Sequence, residues 1–165
     1  MRHRSLPLLV ALALAACAPP PAAKSGSAAD EQAIRDVAGK YQTAFNARDA
    51  KAMGALMATD YEDFDPMGMH TQGRDAAEKN MTAMFPQMPA DMKMTAVTTE
   101  FVKWIDGTHA IAGGKYTMGP VPAGMPDHGA WMGVVTKQDS SWVMMSSLAG
   151  DAPPAPPAAA PAKPK

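Results

Sequence analysis

Cysteine is nearly missing from this chain: Cys17 is the only one in 165 residues. That excludes an internal disulfide, a Cys-x-x-Cys redox pair and a thiolate zinc cage. An excess of positive charge is missing too. Lysine and arginine number 15 against 16 aspartates and glutamates, for a net charge of −1. Two of the basic residues, Arg2 and Arg4, lie in a leader, so no basic patch remains to act as a nucleic-acid footprint. Aromatics make up only 6% of the residues. The apolar run from Leu6 to Leu14 is too short to span a bilayer. Methionine is what the chain has instead, at 15 residues. Thioethers therefore fill much of the interior, or line something. The length leaves room for one domain once the two ends are discounted.

The leader has a charge layout with a meaning. Arg2-His3-Arg4 precedes the apolar run, and the run closes with Leu14-Ala15-Ala16-Cys17. A short positive segment, an apolar stretch and small residues before a cut site form a secretory signal. The ending resembles a bacterial lipoprotein signal, spanning residues 1–16. That resemblance implies cleavage before Cys17 and acylation of the new terminus; no cofactor is expected for the chain. Several acyl chains on one residue give stable membrane anchoring, where one alone is marginal. Ala18 follows the cysteine where an aspartate would retain such a protein at the inner membrane. The implied address is the outer membrane, facing the periplasm.

Residues 17–27 are rich in Pro, Ala and Ser, with too little apolar bulk to pack, and read as a tether. Ala152 to Lys165 is nearly all Ala and Pro and reads as a disordered, polyproline-like tail. The folded unit is thus residues 28–151.

Its first half is helical in pattern. Ser27 with Asp30 three residues on predicts a helix start. Ile34, Val37, Ala38, Tyr41, Ala44 and Phe45 share one face at helical spacing. Asp49 caps a second, shorter helix carrying Ala52, Met53, Leu56 and Met57. Gly73-Arg74-Asp75 opens a third, with Ala77, Met81, Met84 and Phe85 as its apolar face and Pro86 as its stop. Between the last two lies a short strand through Tyr61-Glu62-Asp63-Phe64.

The second half changes period. Met92–Trp104, His109–Met118, Gly129–Gln138 and Trp142–Leu148 read as strands, divided by turn signals at Asp106-Gly107, Pro120–Pro126 and Asp139-Ser140. Short connections imply antiparallel pairing. Neither face of Met92–Trp104 is cleanly apolar, which fits a bulge or the wall of a mixed pocket. Gly113-Gly114 lacks the pattern of a phosphate loop and reads as a strand bend or a close backbone approach.

Helices first and a run of strands after is an α+β order. Specific stretches now add to it: Lys40 to Asp49, Asp60 to Gly68, Gly73 to Ala77, Gly107-Thr108-His109-Ala110 and Ser141-Trp142-Val143. Together they resemble the nuclear transport factor 2-like superfamily, closest to its SnoaL-like and ketosteroid isomerase-like domains. The resemblance covers roughly residues 28 to 150. It implies a conical barrel: N-terminal helices packed on a curved antiparallel sheet around a mostly apolar pocket. It also implies a homodimer packed through the sheet.

The chemistry on offer centres on residues 61–70. Tyr41 and Asp65 fall where the isomerase pattern has an oxyanion-stabilising tyrosine and a general-base aspartate. A carboxylate in an apolar pocket can take a proton next to a carbonyl while a phenol donates to the enolate. The isomerases' third, acidic residue has no counterpart in Trp131-Met132-Gly133. Asp65 has a local role available as well, because Asp65-Pro66-Met67-Gly68 is a type I turn sequence. Asp63 falls on the same strand face as Asp65. His70 is the nearest base, and a His–Asp pair could run dehydratase or cyclase chemistry of the SnoaL-like kind.

Asp63, Tyr61, Trp104, Tyr116 and Met132 complete the expected ligand contacts, for a small apolar molecule. A rival reading takes Met67, Met69 and His70, with Met88, Met92 and Met94, as soft ligands for Cu(I). The same thioethers also serve as core filling without any metal. The expected protein is therefore a lipid-anchored periplasmic binder, with acid/base catalysis and copper binding as the alternatives.

Overall fold

The computed structural model describes residues 25–65 and 68–151. The expected leader, Cys17, most of the tether, Pro66, Met67 and the tail lie outside the described residues.

The first helix, α1, runs from Ala28 to Asn46. It starts at Ser27 for the reason the sequence gives. The Ser27 hydroxyl accepts from Asp30 N at 3.1 Å and the Asp30 carboxylate accepts from Ser27 N at 3.2 Å, so two orphan N–H groups are satisfied reciprocally. Its buried stripe is Ile34, Val37, Ala38, Ala44 and Phe45. The helix stops where Arg48 takes a φ of 56°. The Arg48 guanidinium then ties the chain end down, donating to Pro89 O at 2.6 Å and Met92 O at 3.1 Å. Helix α2, Ala50–Gly54, is capped by the Asp49 carboxylate, which accepts from Ala52 N at 2.8 Å. Helix α3, Arg74–Met84, passes into a 3-10 turn at Phe85–Gln87 that contains Pro86.

The strands are β1 (Met57–Phe64), β2 (His70–Gln72), β3 (Lys93–Val97), β4 (Phe101–Trp104), β5 (His109–Gly119), β6 (His128–Gln138) and β7 (Ser141–Asp151). They form one sheet in the order β2-β1-β7-β6-β5-β3, with β4 also on β5. Every pairing is antiparallel except β1 with β7, which is parallel. Register shifts interrupt β1–β7, β3–β5 and β6–β7. Such bulges bend and twist a sheet, and here they leave one concave face for α1. The fold is the α+β arrangement expected, helices on a curved sheet.

Two expectations on local structure need correction. Leu56 and Met57 were expected in α2, but Met57 opens β1 opposite Met144, and Met144 N donates to Leu56 O at 2.8 Å. Pairing with the last strand outweighs a weak local helical preference in so short a segment. Met92–Trp104 was expected as one strand and is two, broken at Thr98–Glu100. Thr98 N and Glu100 N still reach β5, at Lys115 O and Gly113 O. Gly114 is the reason the crossing works: a Cβ there would lie 1.9 Å from Thr98 O. The close backbone approach read from Gly113-Gly114 is real.

Three apolar clusters join the helices to the sheet. One cluster joins Ile34 and Val37 to Ala110, Ala112, Val135 and Trp142. A second joins Ala44, Phe45, Met53, Phe85 and Met94. A third, smaller one joins Met57, Tyr61 and Ala77, with Tyr41 and Met144 against it. Met53, Met57, Met92 and Met94 are 0 to 7% exposed, so these thioethers pack the interior.

Candidate functional site

Parallel pairing of the first and last strands creates the site. Asp63 stands opposite Ser147 in the β1–β7 register. Tyr61, two residues earlier, shares its face by strand alternation. The Tyr61 hydroxyl and Ser147 Oγ are 2.6 Å apart, and Ser147 Oγ donates to Asp63 Oδ1 at 3.2 Å. A hydroxyl has one proton. Since Ser147 gives its own to Asp63, Tyr61 must donate to Ser147, and the chain runs Tyr61 to Ser147 to Asp63. Tyr41 comes in from α1, stacked on Phe45 at 6.5 Å between ring centroids and packed against the Met57–Tyr61–Ala77 cluster. Met57, Ala77 and Met144 supply the apolar surroundings.

Burial sets the electrostatics. It pushes the Tyr41 phenol up to about 12, with the nearby Asp63 charge adding. Burial also raises the Tyr61 phenol, the Ser147 hydrogen bond opposing and the Asp63 and Tyr41 charges adding. Both tyrosines therefore stay neutral donors. Asp63 is raised above its ordinary value, first by burial and then by the Asp65 charge, while hydrogen bonds from Ser147 and the Phe64 backbone and the His70 charge pull it back. A carboxylate so placed holds its proton more strongly than a solvated one, and is a stronger base when ionised.

The residues expected from sequence divide around this cluster. Tyr41, Tyr61 and Asp63 come together. Asp65, expected as the catalytic base, is engaged in a turn. Its carbonyl accepts from Gly68 N at 2.9 Å and its carboxylate from Met69 N at 2.8 Å. Its charge still reaches Asp63. His70 lies on the other face of the sheet. Its Nε2 pairs with the Glu62 carboxylate and its ring stacks on Phe64 at 4.5 Å. Trp104 packs edge-on to Trp142 at 5.5 Å, in the cluster around Ile34. Tyr116 stands over Gly129, with its hydroxyl 3.5 Å from Gly150 O. Met132 is 49% exposed, opposite Gly113 and Leu148, on the outer face of the sheet.

Among the described residues, the thioethers proposed for copper are divided between the interior and the surface: Met88 and Met94 pack in one apolar cluster, away from exposed Met69. Met92 and Met94 are buried, Met69 is 61% exposed, and the Met88 sulfur accepts from Arg48 Nη1 at 3.3 Å. Two shallow hollows, of about 300 Å³ beside Asp75, Glu78, Lys79 and Thr82 and about 490 Å³ along Val121–His128, do not touch the cluster.

Ser147 is the member that sequence reading missed. Its only signal was a pair of small hydroxyl residues, Ser146-Ser147, inside an otherwise apolar last strand.

With this geometry in view, comparison with known families is direct. The model of the SnoaL-like domain matches residues 38–145. The chain belongs to the SnoaL-like domain family. Its fold is the nuclear transport factor 2-like one, which solved structures share. A cystatin-like domain of unknown function from Nostoc punctiforme superposes with a TM-score of 0.67 at 19% identity, covering 76% of this chain and 79% of that one. An uncharacterized cystatin-like protein from Caulobacter vibrioides gives 0.65 at 23% identity, over 75% and 90%. An NTF-2 like protein from Shewanella oneidensis gives 0.61 at 17% identity, over 74% and 99%. At these identities the likeness is one of fold. No curated protein matches the chain. Within the SnoaL-like domain, function has to be argued from the site, because folds of this kind host enzymes and binders alike.

Proposed function

We propose that this SnoaL-like domain binds a small, mostly apolar molecule at the Tyr41–Tyr61–Asp63–Ser147 cluster. The observation that supports it is the one-directional hydrogen-bond chain ending on Asp63, set among Met57, Ala77 and Met144. A few fixed polar groups on an apolar lining are what orients a small ligand. We further propose that the domain is carried by an exported lipoprotein acylated at Cys17 and held at the outer membrane, on the strength of the leader sequence. A homodimer through the sheet has support from Met132 and Leu148, cross-strand neighbours that leave apolar surface exposed on the outer face.

The test is mass spectrometry of small molecules that co-purify with the natively exported protein. An apolar compound should be retained by the wild type and lost from Asp63→Asn; an identical profile in both would sink the reading. Cys17→Ser should move the protein from the membrane to the soluble fraction, and retention in membranes would refute the anchor.

A second reading is acid/base catalysis, with Asp63 rather than Asp65 as the base. What favours it is the raised carboxyl beside two neutral phenols, an arrangement that can take a proton and stabilise the anion that forms. Product formation from a co-purified compound, abolished in Asp63→Asn, distinguishes it from binding alone.

A further inference from the structure

We propose that Ser147 is the positioning residue of this site and sets its selectivity, directing Asp63 to accept a hydrogen bond from a neutral, apolar ligand. The inference rests on the binding reading above.

The geometry assigns each proton. Tyr61 donates to Ser147, and Ser147 donates to Asp63 Oδ1. An ionised carboxylate only accepts, so the chain terminates on Asp63, whose carboxylate also accepts from the Phe64 backbone, and a ligand that meets it there is one further partner. That partner must donate. A ligand hydroxyl satisfies it, a plain hydrocarbon leaves it bare, and an anion is repelled by a carboxylate already near the charge of Asp65. The phenols of Tyr41 and Tyr61 are neutral and cannot offset a second negative charge. The class selected is a neutral aromatic or alicyclic alcohol.

Ser147 acts through Asp63 rather than on the ligand. The groups that bear on Asp63 come from three other elements besides its own strand: Tyr41 from α1, His70 from β2 and Ser147 from β7, with Tyr61, Asp65 and the Phe64 backbone N–H beside it in sequence. Among them Ser147 is the hydroxyl that donates directly to its carboxylate. Removing that hydroxyl strands the Tyr61 phenol and takes away one of the bonds that hold the carboxyl and favour its ionised form.

The experiment compares the wild type with Ser147→Ala and Ser147→Thr, using 1-naphthol and naphthalene as probes and carboxyl-carbon NMR of Asp63 as a ligand-free readout. The wild type should prefer 1-naphthol by roughly tenfold, the worth of one charge-assisted hydrogen bond. Ser147→Ala should lose the preference and bind the two probes with similar affinity, and its Asp63 titration midpoint should move up. Ser147→Thr, which keeps the hydroxyl, should restore both. A purely structural serine would change the melting temperature and leave the probe ratio and the midpoint where they were, which overturns the proposal. If the wild type binds neither probe, the binding reading fails and the selectivity with it. The midpoint then still decides whether Ser147 positions Asp63.

Discussion

Tyr61 and Ser147 meet at 2.6 Å across the parallel pairing of β1 with β7. Residues far apart in sequence are thus joined by the one parallel contact in the described sheet. The consequence is that the candidate site exists only in the closed fold. Asp63 gains its Ser147 partner through the pairing of the last strand with the first, and burial raises the two phenols and the carboxyl together.

Asp63 and Asp65 should separate cleanly under the same substitution. The folded state raises Asp63, so the stability linked to its proton is complete below the unfolded value of about 3.9 and is lost as pH rises through the folded value. Asp63→Asn should therefore melt higher than the wild type at pH 7, the gap closing at about pH 3, while ligand retention is lost. Asp65→Asn keeps an acceptor for Met69 N and should change stability by less than about 0.5 kcal/mol. Asp65→Ala drops that bond and should cost about 1 kcal/mol. Thermal melts at the two pH values are sufficient, and a destabilised Asp63→Asn at pH 7 would refute the assignment.

How much of this could be read in advance follows from which interactions are local. The Ser27–Asp30 cap, the Asp49 cap, the α1 stripe and the Asp65 turn are all settled within a few residues, and sequence spacing reveals them. The parallel β1–β7 pair is not local, so Met57 looked helical and Ser147 looked incidental. Strand alternation predicts Asp63 and Asp65 on one face, but it could not show that the strand ends at Phe64 and that the turn engages the Asp65 carboxylate with Met69 N. His70 was a plausible partner by proximity in sequence. The register Phe64 to His70 puts the two side chains together on the outer face instead.

Glycine substitutions should mark where the backbone, and not the side chains, sets the architecture. A Cβ at Gly114 would stand 1.9 Å from Thr98 O and 2.7 Å from Thr98 C, and backbone cannot swing aside as a flexible side chain can. Gly114→Ala should cost more than about 3 kcal/mol or prevent folding, since overpacking against backbone adds strain to a broken crossing. Gly39, on the exposed face of α1, has nothing within 4 Å of its Cβ position. Gly39→Ala should stabilise by about 0.5–1 kcal/mol, because glycine is a poor helix former. Denaturant melts of the two variants test the contrast; a tolerated Gly114→Ala would mean that β3 and β4 do not cross β5 as described.

Acid should release the start of α1 from the last hairpin. The Asp30 carboxylate accepts from Lys137 Nζ at 2.7 Å and from Trp142 Nε1 at 2.9 Å, besides its cap with Ser27. The Lys137 bond first, then Trp142 and Ser27, hold its carboxyl far below the usual range. A depressed carboxyl stabilises the fold above its unfolded value and loses that contribution as pH falls toward the folded one. The wild-type melting temperature should accordingly fall as pH drops below about 4, the unfolded value. Asp30→Asn should melt lower at pH 7 and show a shallower acid limb. The two curves should approach each other only in strong acid. Trp142 fluorescence reports on the same contact, because its indole loses an acceptor when Asp30 is neutral. Parallel melting curves for both proteins from pH 7 to pH 2 would show that Asp30 is not what ties α1 to the β6–β7 hairpin.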